Sequence, residues 1–118
     1  MTIDLQLQLS IAPLSCFEAK RCLHSLAREG IVTLWHEQRP FSRDTCLLNL
    51  SAECSSSDSP QWLSERLAAA IWKETGRFVR LTNLVVSNNE TEYLFTFEEA
   101  DYQRLMPAFR LRMPPLRR

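Results

Sequence analysis

Residues 3–29, IDLQLQLSIAPLSCFEAKRCLHSLARE, decide the fold, because the apolar period changes within them. Ile3, Leu5, Leu7, Leu9 and Ile11 alternate with polar residues, the pattern of a strand buried on one side. Pro13 is expected to end that strand. Ser15-Cys16-Phe17-Glu18 then reads as a capping box, in which serine and glutamate satisfy each other's free helix-start amides. The predicted helix carries an apolar arc of Cys16, Ala19, Cys22, Leu23, Leu26 and Ala27. It runs to about Glu29 and stops at Gly30, which accepts a left-handed backbone.

Outward from this unit, IVTLWHE (31–37) reads as a second strand and QRPFSRD (38–44) as a loop. TCLLNLSAE (45–53) reads as a third strand, with Cys46, Leu48 and Leu50 on one face. Ser59 and Pro60 supply an N-cap and a first helical residue, and that helix extends to Thr75 and halts at Gly76. FVRLTNLVVS and TEYLFTF flank the turn Asn88-Asn89-Glu90, where asparagine tolerates positive φ. EEADYQRLM (98–106) predicts a terminal helix that Pro107 cuts off.

The order β-α-β-β-α-β-β-(α) predicts an α+β domain over residues 1–106. Its antiparallel-dominated sheet carries two helices on one face, a ferredoxin-like arrangement with an added hairpin strand. Residues 107–118 form a basic Pro/Arg tail. LAREGIVTLWHE (26–37) loosely resembles small-molecule sensor domains of the ACT type, but IAPLS stands where those have a glycine-containing turn. The element order also loosely resembles that of secretion chaperones. The first resemblance implies a ligand-sensing domain, the second a dimeric accessory protein.

Length and composition suit one domain with its own core: 118 residues, 45% hydrophobic and 24% charged. No apolar run is long enough to span a membrane, and the alternating N-terminus lacks the continuous apolar stretch of a secretory signal. The expected location is cytoplasmic, with Cys16, Cys22, Cys46 and Cys54 as free thiols. Net charge is zero but divided. Residues 1–101 hold nine Lys+Arg against fourteen Asp+Glu, whereas 102–118 hold Arg104, Arg110, Arg112, Arg117 and Arg118 and no acid.

Catalytic signatures are missing from the sequence. There is no GxGxxG, no phosphate-binding GxxxxGK[ST] and no GxSxG elbow. No metal set forms around His24 and His36, because no CxxC pair accompanies them. Cys54, in a serine-rich stretch, is the thiol expected to be accessible, with His36 as its conceivable base. The expectation is no catalytic residue, no cofactor and no metal.

Interaction is indicated instead. On a wheel of the second predicted helix, Leu63, Leu67, Ala70 and Ile71 share one arc, and Trp72 lies about 150° from its centre. An indole there anchors a partner or is covered by the terminal helix or tail. Trp62 is likewise off the arc. In the tail, Phe109, Leu111 and Met113 alternate with Arg110 and Arg112, a pattern for an extended segment docked on a sheet edge. These seven residues are the expected partner-binding set, the partner being another protein or a second copy. An alternative is nucleic-acid binding through Lys20, Arg21, His24 and Arg28 on the outer face of the first helix, assisted by the arginine tail.

Overall fold

A computed structural model describes residues 2–111, the last four as backbone only. In chain order the elements are β1 (Ile3–Leu14), α1 (Cys16–Arg28), β2 (Val32–Ser42), β3 (Thr45–Ser56) and α2 (Pro60–Thr75). β4 (Arg80–Ser87), β5 (Glu92–Phe97) and α3 (Glu99–Leu111) follow. The five strands form one sheet in the order β2-β3-β1-β4-β5, antiparallel at every junction. The first four strands stand in the ferredoxin-like order, and β5 extends the sheet through the β4–β5 hairpin. The α+β expectation holds.

The alternation of β1 sets the layers. Leu5, Leu7, Leu9 and Ile11 are buried, and each shares its face with its cross-strand neighbours. Those are Cys54, Ala52, Leu50 and Leu48 on β3, and Ser87, Val85, Asn83 and Leu81 on β4. The helices cover this face, so every second residue of three strands enters one core. Each fully buried leucine or isoleucine there is worth about 1.5–3 kcal/mol. Gln6, Gln8, Ser10, Asn49, Ser51 and Thr82 occupy the opposite face, which no described element covers.

Local chemistry fixes the helix ends. Ser15 and Glu18 form the expected capping box: Ser15 Oγ accepts from the Glu18 amide at 3.0 Å, and Glu18 Oε1 accepts from the Ser15 amide at 2.9 Å. Arg77 closes over the same corner, donating to Glu18 Oε1 at 2.8 Å and to the Pro13 carbonyl at 2.9 Å. Burial opposes ionisation of Glu18. The Ser15 amide and the Arg77 guanidinium outweigh it and hold the carboxyl below its ordinary range. Ser59 caps α2, with Pro60 in its first turn, and Gly76 ends it at φ 69°, a conformation that suits glycine.

Several expectations are corrected. Pro13 does not end β1: a register shift between Ile11 and Leu14 absorbs it, and Leu14 resumes pairing with Cys46. The segment 38–44 is not a loop. β2 runs on to Ser42, leaving a tight turn at Arg43-Asp44 with Arg43 at φ 37°. Proline is tolerated here because β2 is an edge strand. In the β4–β5 turn the positive φ falls on Glu90 (66°), not on Asn88 or Asn89. Pro107 does not cut α3, which continues to Leu111. One missing amide can be borne by a helix whose inner face is anchored, here by buried Leu105 and Met106.

Trp72 is 1% exposed, so it is not a partner anchor. α3 folds back over the second face of α2 and encloses the indole between Phe78, Phe97 and Tyr102, at centroid distances of 6.0, 6.0 and 5.2 Å. Its Nε1 donates to the Val79 carbonyl at 2.8 Å, which ties the end of α2 to the start of β4. Trp62 is half-buried and packs against the same core. Trp72→Phe keeps the ring contacts but strands the Val79 carbonyl, so it should lower unfolding stability by about 1–3 kcal/mol in urea melts with an unchanged slope. An unaffected midpoint would show that the bond is dispensable.

Candidate interaction surface

β2 is the strand with the least burial: not one of its residues is buried. It pairs with β3 alone, so the backbone groups along its other side have no strand partner. Along it Val32, Leu34, Trp35 and Phe41 are 56%, 60%, 52% and 55% exposed. Four large apolar side chains on one edge strand are a different matter from an isolated surface leucine, because an exposed apolar edge is a template for another strand.

Register explains the exposure. Leu34 and Phe41 sit at shifts in the β2–β3 pairing, between Thr33 and Trp35 and between Pro40 and Ser42. A bulged residue has no opposite number, so its side chain loses the cross-strand contact that would cover it. Between the bulges, Trp35, Glu37 and Arg39 pair with Ser51, Asn49 and Leu47 on the uncovered face of the sheet. His36, Gln38 and Pro40 pair with Leu50, Leu48 and Cys46 on the helix-facing side. Glu37 forms an ion pair with Arg39 Nε at 2.8 Å and accepts from Asn49 Nδ2 at 3.4 Å, a small polar cluster beside Trp35.

Above the start of β2 lies a groove of about 600 Å³ toward α1, lined by Leu23, Ala27, Ile31 and Val32, with His24 and His36 at its rim. A second cavity, of about 700 Å³, opens at the end of the sheet among Asp4, Gln6, Glu53, Ser55 and Glu90. Among the described residues no cluster of His, Cys, Asp or Glu is arranged to hold a metal ion.

The other expected site residues are placed differently. On α1, Lys20, Arg21, His24 and Arg28 all lie on the exposed side. Arg21 and Arg28 both bind Glu74 of α2, at 3.1 and 3.0 Å, and Arg21 also lies over the Phe17 ring at 5.8 Å. Two of the four, Arg21 and Arg28, are therefore part of the α1–α2 seam. Phe109, Arg110 and Leu111 belong to α3 by backbone, which is helical rather than extended, and their side chains lie outside the described residues. Arg112 and Met113 lie wholly outside them.

The thiols exchange roles relative to expectation. Cys54 is buried on the helix-facing side of β3, while Cys16, in the first turn of α1, is exposed. His36 stands opposite Leu50, four residues from Cys54 along β3, about 13 Å at strand rise. No cysteine–histidine pair is assembled there. Burial pushes the Cys54 and Cys46 thiols up, and burial with nearby Glu18 and Glu74 pushes Cys22 up to about 12.

Sequence reasoning missed Leu34 and Trp35. The signal was present: in IVTLWHE the apolar residues fall as adjacent pairs, so both sides of the strand are apolar. A central strand buries both sides, whereas an edge strand without helical cover exposes one.

No family model matches the chain, and no curated protein does. Among solved structures, the solution structure of the C-terminal domain of the MgtC protein from Mycobacterium tuberculosis is similar at 12% identity. The TM-score is 0.46, over 83% of this chain and 92% of that one. A likeness this remote bears on neither activity nor partner.

A disulfide reagent at about pH 8 should rapidly modify a single described thiol in the native protein, and Cys16→Ser should abolish that phase, because only thiolates react. Rapid modification of Cys54 would contradict its burial.

Proposed function

We propose that this chain is a non-catalytic protein-interaction module that engages a polypeptide partner by adding a strand to the outer edge of β2. The observation that carries the reading is the exposed run of Val32, Leu34, Trp35 and Phe41 along an unpaired edge. Strand addition gives such an edge main-chain hydrogen bonds for affinity, while flanking side chains give specificity. Tryptophan at the centre of the run is the residue type that most often dominates interface energetics. The role fits an adaptor, a small regulator or an accessory protein that acts as a dimer.

The nucleic-acid alternative has less support. Arg21 and Arg28 are already committed to Glu74. The uncovered faces of β1 and β3 present the polar or acidic Gln6, Gln8, Ser10, Asn49, Ser51 and Glu53, and the ring beside them, Trp35, stands at the sheet edge next to Glu37. Catalysis finds no assembled nucleophile and base among the described residues.

A photo-crosslinking amino acid placed at Trp35, in cells expressing the full chain, tests the reading. Irradiation should give a discrete adduct from position 35 and none from Gln103, an exposed position on α3. No adduct from position 35 would remove the proposal.

A further inference from the structure

We infer that the occupant of the β2 edge is a second copy of this chain, paired antiparallel about a two-fold axis through Gln38. The inference rests on the interaction reading above and adds the partner and its register. Its first support is backbone polarity. Proline sits in a strand where its nitrogen faces away from the neighbouring strand. Pro40, opposite Cys46 of β3, therefore directs its nitrogen to the open edge. Backbone groups alternate sides along a strand, so Gln38 and His36 also turn their N–H and C=O groups outward. The two bulges bracket this regular stretch and leave it as the segment available for pairing.

Its second support is charge. Antiparallel strands in one continuous sheet must match face to face, which restricts the partner register to steps of two residues. A two-fold axis at Glu37 would set two glutamates opposite each other, and one at Arg39 would set two arginines opposite each other. With the axis at Gln38, Glu37 faces Arg39 of the second copy and Arg39 faces its Glu37. The existing Glu37–Arg39 pair of each chain, at 2.8 Å, thereby joins a ring of four alternating charges. The same register brings Trp35 to the end of the paired stretch, next to the bulge that carries Phe41 of the second copy, so two exposed aromatic residues come close on each side of the axis.

The backbone then closes as far as proline permits. Gln38 exchanges both main-chain bonds with its counterpart, and the His36 amide donates to the Pro40 carbonyl across the axis. Proline returns no donor, so the His36 carbonyl is left to water. Pairing of this kind is isologous, the form that closes at two copies instead of propagating. Each β5 edge remains at the outside of the joined sheet.

Complementary charge reversal tests this directly. The wild-type chain should sediment as a dimer at ~100 μM, a concentration that populates even weak specific association. Glu37→Arg alone and Arg39→Glu alone should each weaken the dimer at least ~10-fold, because each places like charges across the axis. An equimolar mixture of the two variants should regain it. The intrachain pair is lost in both variants, so recovery on mixing reads the intermolecular contact alone, and it also shows that both variants are folded. A monomeric wild type overturns the inference, as does a dimer that neither variant weakens or that mixing fails to restore. The crosslink at position 35 separates the two proposals: an adduct of another mass than two chains sinks the second copy and keeps the module, and no adduct sinks both.

Discussion

The constraint on which the structure depends is one-sided burial of β1. This central strand places Leu5, Leu7, Leu9 and Ile11 against the helices and Gln6, Gln8 and Ser10 against nothing described. Its neighbours must repeat that alternation in register, since a slip of one residue would send every leucine to the wrong face. The helical layer can then form on one side only. Everything apolar that finds no place on that side has to be dealt with at the margins of the sheet.

The two margins are treated differently. At the β5 margin, α3 returns across α2, buries Leu105 and Met106 and encloses Trp72 with Phe78, Phe97 and Tyr102. α1 approaches β2 across the groove at Leu23 and Ala27 but leaves Val32, Leu34, Trp35 and Phe41 exposed. Pro40 and the bulges at Leu34 and Phe41 limit indiscriminate pairing, as protected edges commonly do. They leave a short regular segment that is apolar, charge-patterned and available. Both margins keep an open strand edge, with Tyr93 and Leu94 exposed on β5, but the longer run of exposed apolar side chains lies on β2.

Much of this was legible in the residues. The alternation of β1, the Ser15–Glu18 box, the Ser59-Pro60 start and the helix stops at Gly30 and Gly76 are local signals, and each element they predict is present. What failed depends on distant contacts. Trp72 looked displaced because a helical wheel assumes one buried face, whereas α2 is covered on two. QRPFSRD read as a loop because sequence alone does not say which strand lies at an edge, where Pro40 is tolerated. Cys16 was misplaced because a position on an apolar arc does not reveal whether a helix's first turn reaches the core, and Cys54 because β3 runs past the predicted end at Glu53 to Ser56, which puts it opposite Leu5. The surface with the strongest claim to function, β2, was read correctly as a strand over 31–37 and then passed over, because its significance lies in what does not pack on it.

Amide exchange along β2 is the most direct measurement of whether that edge is bare. If a second copy pairs there, the His36 and Gln38 amides should be protected, and their protection should rise with protein concentration as the dimer fills. Rapid exchange at both amides, unchanged from dilute to concentrated protein while β1 and β3 stay protected, would show an edge that nothing covers and would contradict the account.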